Sequence, residues 1–201
     1  MAEKQMAAGN GLARKPARDA LLEAASRAFY ANGLAGTGID ALTAEAGVAR
    51  KSLYNNFASK AELVAAYLDV RHEEWLGLYR IRLEAAARTG ERVLAVFDAY
   101  ADHANLAYEH GFRGCGLLNA AAELPAGDPG RKAVRRHKEE VETLLSEHVC
   151  ELLPAEPEQA GSIARHLAFL LEGSMVRAGL EGNDRCVFEA RQIAAGLIGS
   201  L

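Results

Sequence analysis

Apolar residues recur at helical spacing along almost the whole chain, and each run is bounded by a residue that starts or ends helices. In the first run Leu22, Ala25 and Phe29 fall on one face, with Pro16 before the run and Gly33 after it. We find no stretch of alternating β-branched residues that would suit a strand. The sequence therefore predicts an all-α fold of about nine helices.

Residue patterns typical of helix N-termini mark where the later helices begin. Thr37 and Asp40 resemble a capping box, Ser59 and Glu62 form a full one, and Asp128-Pro129 suits the first positions of a helix. On the long fourth helix we expect Leu63, Tyr67, Val70 and Leu78 among the apolar positions, with Trp75 near the middle. The predicted helices cover about residues 17–32, 37–47, 50–57, 59–88, 90–110, 117–124, 129–153, 157–180 and 184–199.

Composition excludes several classes of protein. No apolar run reaches the length of a membrane span, and residues 1–18 lack the apolar middle of a secretory signal, so we expect a cytoplasmic protein. Three cysteines without a C-x-x-C pair fit a reducing compartment, and neither metal-ligand spacing nor any cofactor motif is present, so we expect no metal and no cofactor. Residues 1–60 hold 8 Lys/Arg and 5 Asp/Glu, whereas residues 61–201 hold 15 and 22, a basic head on an acidic body.

Two short predicted helices around Gly47 give the most specific local signal. A helix, a three-residue turn with glycine and a second short helix predict a helix-turn-helix unit. The alternative is a helical hairpin with a solvated polar face, but such faces usually mix charges, and residues 48–61 contain no Asp or Glu. The outer face suits a major groove. Its polar side chains are Arg50, Lys51, Ser52, Tyr54, Asn55 and Asn56.

Residues 37–60, TGIDALTAEAGVARKSLYNNFASK, closely resemble the DNA-binding signature of the TetR (TetR/AcrR) family, and residues 24–33 resemble its first helix. The resemblance implies a regulator that binds pseudo-palindromic operator DNA as a homodimer. It implies a DNA-binding domain at 17–60 and a ligand-binding and dimerisation domain at 61–201. The composition of residues 1–16 predicts a flexible basic arm before them.

Carried onto this chain, the family pattern makes Arg50, Lys51 and Asn55 candidates for base contacts. The candidates for phosphate contacts are Thr37, Ser52, Tyr54, Asn56 and Lys60, with Arg14, Lys15 and Arg18 as an added arm. The chain departs from the family at Ala49, where Ser or Thr is common and a helix cap is therefore missing. Asn55 and Asn56 stand where histidine is frequent, which implies a different preferred operator.

In the second domain the resemblance implies a small-molecule pocket between the fourth, fifth and sixth helices. Its candidate lining residues are Trp75, Tyr79, Phe97, Tyr100, His103, Phe112, Leu118 and Asn119, although each of them equally suits a core position. Asn119 and Glu123 are spaced to face a ligand together or to cap backbone groups in the loop before Pro125. Cys115 is either a reactive thiol or an ordinary buried cysteine.

The eighth and ninth helices are expected to pair with their counterparts in the homodimer. Their apolar residues are Ile163, Leu167, Leu170, Leu171, Val187, Phe188, Leu197 and Ile198, and part of this set belongs to the core of the single chain.

Two other functions remain to be weighed. An enzyme is disfavoured because no nucleophile elbow, P-loop, dinucleotide fingerprint or catalytic carboxylate pair is recognisable. A nonspecific DNA-architectural or protein-interaction module without a ligand could use the same helix-turn-helix, but the acidic body and the expected pocket weigh against it. The sequence favours a transcriptional regulator, a repressor that a small-molecule ligand releases from its operator.

Overall fold

A computed structural model describes residues 16–106 and 111–201, and over these ranges the chain is helical with no strand. The predicted all-α fold is confirmed. The arm at residues 1–16, except Pro16, and the expected last residues of the fifth helix, 107–110, lie outside the described residues. The helices are α1 (Ala17–Asn32), α2 (Ile39–Glu45), α3 (Arg50–Asn56), α4 (Lys60–Ala85), α5 (Thr89–Ala104), α6 (Gly116–Glu123), α7 (Pro129–Leu152), α8 (Pro157–Glu181) and α9 (Arg185–Gly199).

Two of the helix starts form as the sequence predicts. The Ser59 hydroxyl accepts a hydrogen bond from the backbone N–H of Glu62 at 3.1 Å, and the Glu62 carboxylate accepts one from the N–H of Ala58 at 2.6 Å. At α7 the Asp128 carboxylate accepts from the N–H of Gly130 at 2.7 Å, with Pro129 in the first turn. Both caps satisfy N–H groups that have no partner inside the helix.

The predicted capping box at Thr37 is wrong. α2 begins at Ile39 after Gly38, without a side-chain cap. The Thr37 hydroxyl instead lies 2.7 Å from the carbonyl oxygen of Gly33 and 3.1 Å from that of Ala28, and it donates to them. The carbonyl of Gly33 follows the last residue of α1 and has no helical N–H partner, so it accepts from this hydroxyl and holds Thr37 against α1.

The helices pack as a small head, formed by α1 to α3 against the start of α4, and a larger second part, formed by α4 to α9. The two share one hydrophobic core. In the head, α1 packs on α2, α3 and α4, and Leu21, Leu42 and Leu53 are fully buried between them. In the second part α4 packs on α5 and α7, and α8 packs on α7 and α9. None of the described helices is both long and apolar enough to cross a membrane.

The buried stripe of α4 differs from the expected one at Val70 and at Leu78, which is only half-buried. Tyr67, Arg71, Trp75 and Tyr79 are buried at a spacing of four residues, while Val70 is exposed. Residues four apart lie on the same helix face, and Val70 is rotated away from that face by about 100°. A charged side chain therefore occupies the core position that the sequence analysis gave to valine.

The start of α3 gives a stability prediction. Its N-cap residue Ala49 has extended backbone geometry and makes no side-chain cap bond. Ala49→Ser places a hydroxyl where it can accept from the N–H of Lys51 or Ser52, so we expect the free energy of unfolding to rise by about 0.5–1.5 kcal/mol in urea titration. Ala44→Ser, an exposed position inside α2, is the matched control and should lower it slightly. Equal changes in the two variants would contradict the prediction.

Candidate functional site

The turn between α2 and α3 is tight and hydrogen-bonded. The N–H of Val48 donates to the carbonyl of Thr43 at 3.0 Å, and the N–H of Gly47 donates to that of Ala44 at 3.1 Å. Gly47 has φ +63°, a backbone conformation that side-chain-bearing residues rarely adopt. Buried Leu42 and Leu53 pack the two short helices onto α1. This is the geometry of a helix-turn-helix unit.

Four of the eight predicted DNA-contacting side chains lie together on the outer face of α3. Arg50, Lys51, Tyr54 and Asn55 are all exposed, at positions that span two turns of one helix face. Among the described residues, the one carboxylate in contact with this face comes from α2, where the exposed Asp40 carboxylate lies 3.1 Å from the Arg50 guanidinium. An exposed ion pair of this kind exchanges readily for a stronger anionic partner. The face offers hydrogen-bond donors and positive charge.

The other four predicted side chains are less available. Asn56 donates its amide to the carbonyl of Ser52 at 2.8 Å, and both residues are half-buried. The Lys60 ammonium donates to the carbonyl of Leu34 at 2.5 Å, so it fastens the α1–α2 loop to the start of α4. Thr37 is 2% exposed and its hydroxyl points to α1, so the expected phosphate contact of its side chain is wrong. Arg18, predicted in the arm, lies on α1 over the ring of Phe57.

A small cavity of about 10 Å³ lies in the second part of the chain. Trp75, Tyr100 and His103, three of the eight predicted ligand-contacting residues, line it. The remaining lining residues are Arg71, Cys115, Gly116, Leu117 and His137, of which the sequence analysis named only Cys115, and in another role. The volume equals that of about one ordered water molecule.

The other five predicted ligand-contacting residues lie outside the cavity wall. The Tyr79 ring stacks on Trp75 at 5.5 Å between centroids, and its hydroxyl lies 2.7 Å from Nε2 of His148. Phe97 and Phe112 are core residues, and Leu118 is half-buried against the core. Asn119 donates to the carbonyl of Arg113 at 2.9 Å. Helical spacing alone did not separate a residue that faces a cavity from its neighbours in the core.

Polar groups around the cavity form a buried hydrogen-bond chain. The Lys138 ammonium donates to the Tyr100 hydroxyl at 3.2 Å, and that hydroxyl lies 3.2 Å from Nε2 of His137. Nδ1 of His137 lies 3.0 Å from Nδ1 of His72, and the Arg71 guanidinium lies 3.0 Å from Nε2 of His103. Burial, helped by the charge of Arg71, lowers the pKa of His103 to about 3. Burial and Lys138 likewise lower the pKa of His137 to about 3. Both imidazoles are therefore neutral acceptors at neutral pH.

An open cleft of about 940 Å³ lies beside this cavity, between α1 and α4. Arg71 lines both spaces. Its guanidinium is 2.9 Å from the Glu74 carboxylate and stacks over the ring of Tyr30, on α1, at 5.6 Å. The other walls of the cleft include Leu22, Arg27 and Glu45 of the head. A single buried cation thus joins the cavity of the second part to the head.

A second connection to the head was missed by the sequence analysis. The Glu123 carboxylate of α6 accepts hydrogen bonds from the N–H groups of Leu34 and Ala35 at 2.9 and 2.7 Å. The Arg113 guanidinium donates to the carbonyls of Tyr30 and Ala31, at the end of α1, at 2.6 and 2.5 Å. Glu123 therefore caps backbone groups of the loop after α1, and not those of the loop before Pro125 that the sequence analysis considered. The segment 113–123 carries both anchors and also lines the cavity through Cys115, Gly116 and Leu117.

Comparison with known proteins agrees with this geometry. Residues 21–67 match the family described as bacterial regulatory proteins, tetR family. The HTH-type transcriptional regulator TtgR of Pseudomonas putida is 48% identical over 56 residues, which are 28% of this chain and 27% of that protein. The HTH-type transcriptional activator FasR of Mycolicibacterium smegmatis is 33% identical over 110 residues, 55% of this chain and 48% of that one. The matched segments thus span at most about half of these two relatives.

The likeness to a solved structure extends over nearly the whole fold. The crystal structure of a TetR-family transcriptional regulator from Streptomyces coelicolor is 30% identical with a TM-score of 0.81, and the alignment covers 92% of this chain and 95% of that one. Head and second domain together therefore define a helix-turn-helix regulator with a helical C-terminal domain. The chain belongs to the TetR family of transcriptional regulators.

The connection through α6 yields a prediction. Glu123→Ala leaves the N–H groups of Leu34 and Ala35 without their carboxylate acceptor, so we expect the free energy of unfolding to fall by about 1–2 kcal/mol. Hydrogen exchange at these two amides should accelerate more than exchange inside α7. Glu139→Ala, an exposed change on α7, is the control and should stay within about 0.5 kcal/mol of the unmodified protein. Unchanged exchange at Leu34 would contradict the prediction.

Proposed function

We propose that the protein binds a pseudo-palindromic operator sequence-specifically as a homodimer, and that it is a repressor which a small molecule releases from DNA. The observation that carries this proposal is the exposed outer face of α3, on which Arg50, Lys51, Tyr54 and Asn55 stand together without a carboxylate of their own helix. A helix of this kind fits the major groove.

The chemistry of this face favours sequence-specific binding over nonspecific binding. Arginine and lysine donate to O6 and N7 of guanine, and asparagine pairs with N6 and N7 of adenine. Arg50 and Asn55 therefore supply two different base preferences within one helix. A nonspecific module needs only phosphate contacts, and it would gain nothing from an exposed asparagine beside two cations.

The dimer surface is proposed on α8 and α9. Six of the ten exposed large apolar side chains among the described residues lie on these two helices: Phe169, Val176, Leu180, Phe188, Ile193 and Leu197. Four of the residues expected at this interface, Ile163, Leu167, Leu171 and Val187, are buried inside the chain and do not reach its surface. An isologous pairing of the exposed set removes apolar area from water and places two recognition helices about a two-fold axis.

Release by an effector can use the two connections to the head. Trp75 lies about 24 Å along α4 from Ser59, at about 1.5 Å per residue. Segment 113–123 lines the cavity and holds the end of α1 through Arg113 and Glu123. A ligand that enlarges the cavity displaces one or both connections, and packed interfaces move between discrete arrangements. The separation of the two α3 helices then changes.

The sign of regulation depends on where the operator lies relative to the promoter. FasR, one of the relatives, is named as an activator, so activation is the second candidate for this chain. A reporter fused to the bound promoter, in cells with and without the protein, decides between them. Higher reporter output without the protein supports repression, and lower output supports activation.

Specific binding is tested by gel shift with promoter DNA that flanks the coding region of the protein, with and without unrelated competitor DNA. We expect a shifted band that survives competitor. Arg50→Ala should weaken operator binding roughly ten- to a hundredfold and relax preference at one position per half-site. Arg135→Ala, an exposed change on α7, is the control. Equal loss on operator and random DNA would show that Arg50 contacts only the backbone, and binding that competitor abolishes would favour the nonspecific module.

Assembly is tested by placing a charge on the exposed apolar surface. Phe188→Glu should give monomers that keep their helix content and lose operator affinity, measured by light scattering, circular dichroism and gel shift. Ile81→Glu, an equally exposed apolar position on α4, is the matched control and should remain dimeric. Leu167→Glu is unsuitable because Leu167 is 1% exposed, so a charge there would disrupt the fold of the single chain. A monomeric unmodified protein at micromolar concentration would refute the proposed dimer.

A further inference from the structure

The walls of the cavity beside Trp75 supply hydrogen-bond donors and positive charge. Arg71 and Trp75 line the cavity, and both are more than nine-tenths buried. Nε1 of Trp75 is a buried donor with no hydrogen-bond acceptor among the described residues. A buried N–H without an acceptor is costly, so its position favours a ligand that brings an oxygen.

A second cation stands directly behind the cavity wall. The Lys138 ammonium donates to the hydroxyl of Tyr100, which lines the cavity, and stacks over the same ring at 5.1 Å. Within the described ranges no carboxylate forms an ion pair with Lys138, and Glu172 acts on it only through a longer-range attraction. The positive charge of Lys138 is therefore not neutralised by direct contact.

The two histidines of the cavity wall are neutral. Nε2 of His103 accepts a hydrogen bond from Arg71, and Nε2 of His137 lies 3.2 Å from the Tyr100 hydroxyl. Because the pKa of each imidazole is lowered, neither adds a charge. Arg71 and Lys138 help burial to lower the pKa of His103, and Lys138 does the same at His137. Burial is the larger cause of both lowered pKa values and disfavours any isolated charge, so an anion in the cavity needs the guanidinium of Arg71 and hydrogen-bond donors to hold it.

We propose that this cavity binds the carboxylate group of a small organic monoanion, held by the Arg71 guanidinium and the indole N–H of Trp75 with the charge of Lys138 behind Tyr100. That such an anion is the effector rests on the proposed function. A cationic ligand would be repelled by Arg71 and Lys138. A wholly apolar ligand would desolvate both cations and give the Trp75 N–H no acceptor.

The small size of the cavity implies that only the carboxylate lies in it and that the apolar body of the ligand lies in the neighbouring cleft. A cavity of about 10 Å³ holds about one water molecule, so a carboxylate enters it only when the walls move outward. The adjoining cleft of about 940 Å³ shares Arg71 and is lined by Leu22 and Val70. The carboxylate therefore lies at Arg71 with the apolar body toward the cleft. Four acidic residues line the cleft and disfavour a second negative charge on that body: Asp19, Glu23, Glu45 and Glu74.

The site is tested with pairs of probes that differ only in charge: benzoate against benzamide, and hexanoate against hexanamide, at constant ionic strength. Trp75 is the only tryptophan, so its emission reports binding in the full-length protein. We expect each carboxylate to bind at least about tenfold more tightly than its amide, as charge-assisted hydrogen bonds require. Equal binding of the two members of both pairs, or no binding of either carboxylate, would overturn the proposal.

Variants identify the charges that hold the anion. Lys138→Met should reduce the preference for carboxylate over amide by about tenfold, and Lys138→Arg should retain most of it. Lys132→Met, an exposed change on the same helix, is the control. Arg71→Gln should abolish the preference, with circular dichroism to verify its fold. If the Lys138→Met protein keeps the full preference, the assignment of Lys138 is wrong.

A gel shift with the same probes separates this proposal from the proposed function. If the carboxylates bind with the expected preference and weaken operator binding, both stand. If they bind with that preference while operator affinity is unchanged, the anion site stands and its role as effector site fails. If the protein binds no promoter DNA, the proposed function fails, and the fluorescence titration still decides the anion site.

Discussion

The arrangement of the head and the second part of the chain depends on how the backbone groups at the end of α1 find hydrogen-bond partners. A helix ends with carbonyl groups that have no partner of their own, and the loop after it exposes free N–H groups. Here Arg113 donates to the carbonyls of Tyr30 and Ala31, and the Glu123 carboxylate accepts from Leu34 and Ala35. Loss of such a partner costs about 1–3 kcal/mol where the group is buried. The head is thereby fixed to α6, and movement of α6 must move α1 or break these bonds.

Local signals were sufficient to predict most of the helices. The capping bonds of Ser59 and Asp128 join residues only two or three positions apart, so their geometry follows from the sequence next to them. Thr37 carries the same kind of signal and was predicted wrongly. Its hydroxyl is taken by Ala28, nine positions earlier, and by Gly33. A local pattern does not reveal when the preceding helix offers a stronger acceptor.

The two candidate sites differed in how far the sequence could predict them. On α3 the polar side chains are exposed, so their helical spacing alone brings Arg50, Lys51, Tyr54 and Asn55 to one face. Around the cavity the contacts join Tyr100 to Lys138, 38 positions later, and His72 to His137, 65 positions later. These pairs follow from the packing of α4, α5 and α7, which the sequence pattern does not specify. The buried position of Arg71 could have been predicted from the sequence. A charged residue four positions from both Tyr67 and Trp75 lies on the same helix face as these apolar residues.

Arg71 contacts both the buried polar groups around the cavity and the head, so a change in one set of contacts affects the other. Its guanidinium reaches His103 and Glu74, and it stacks over Tyr30, whose hydroxyl donates to the carbonyl of Gly114 at 3.0 Å. An anion that binds this guanidinium competes with Glu74 and changes how strongly Arg71 is drawn to Tyr30. Tyr30 belongs to α1, and Gly114 lies in the segment that Arg113 and Glu123 anchor, so the same event acts on both connections. The coupling of the two binding equilibria is reciprocal. If the anion weakens DNA binding by a given factor, DNA binding must weaken the affinity for the anion by the same factor.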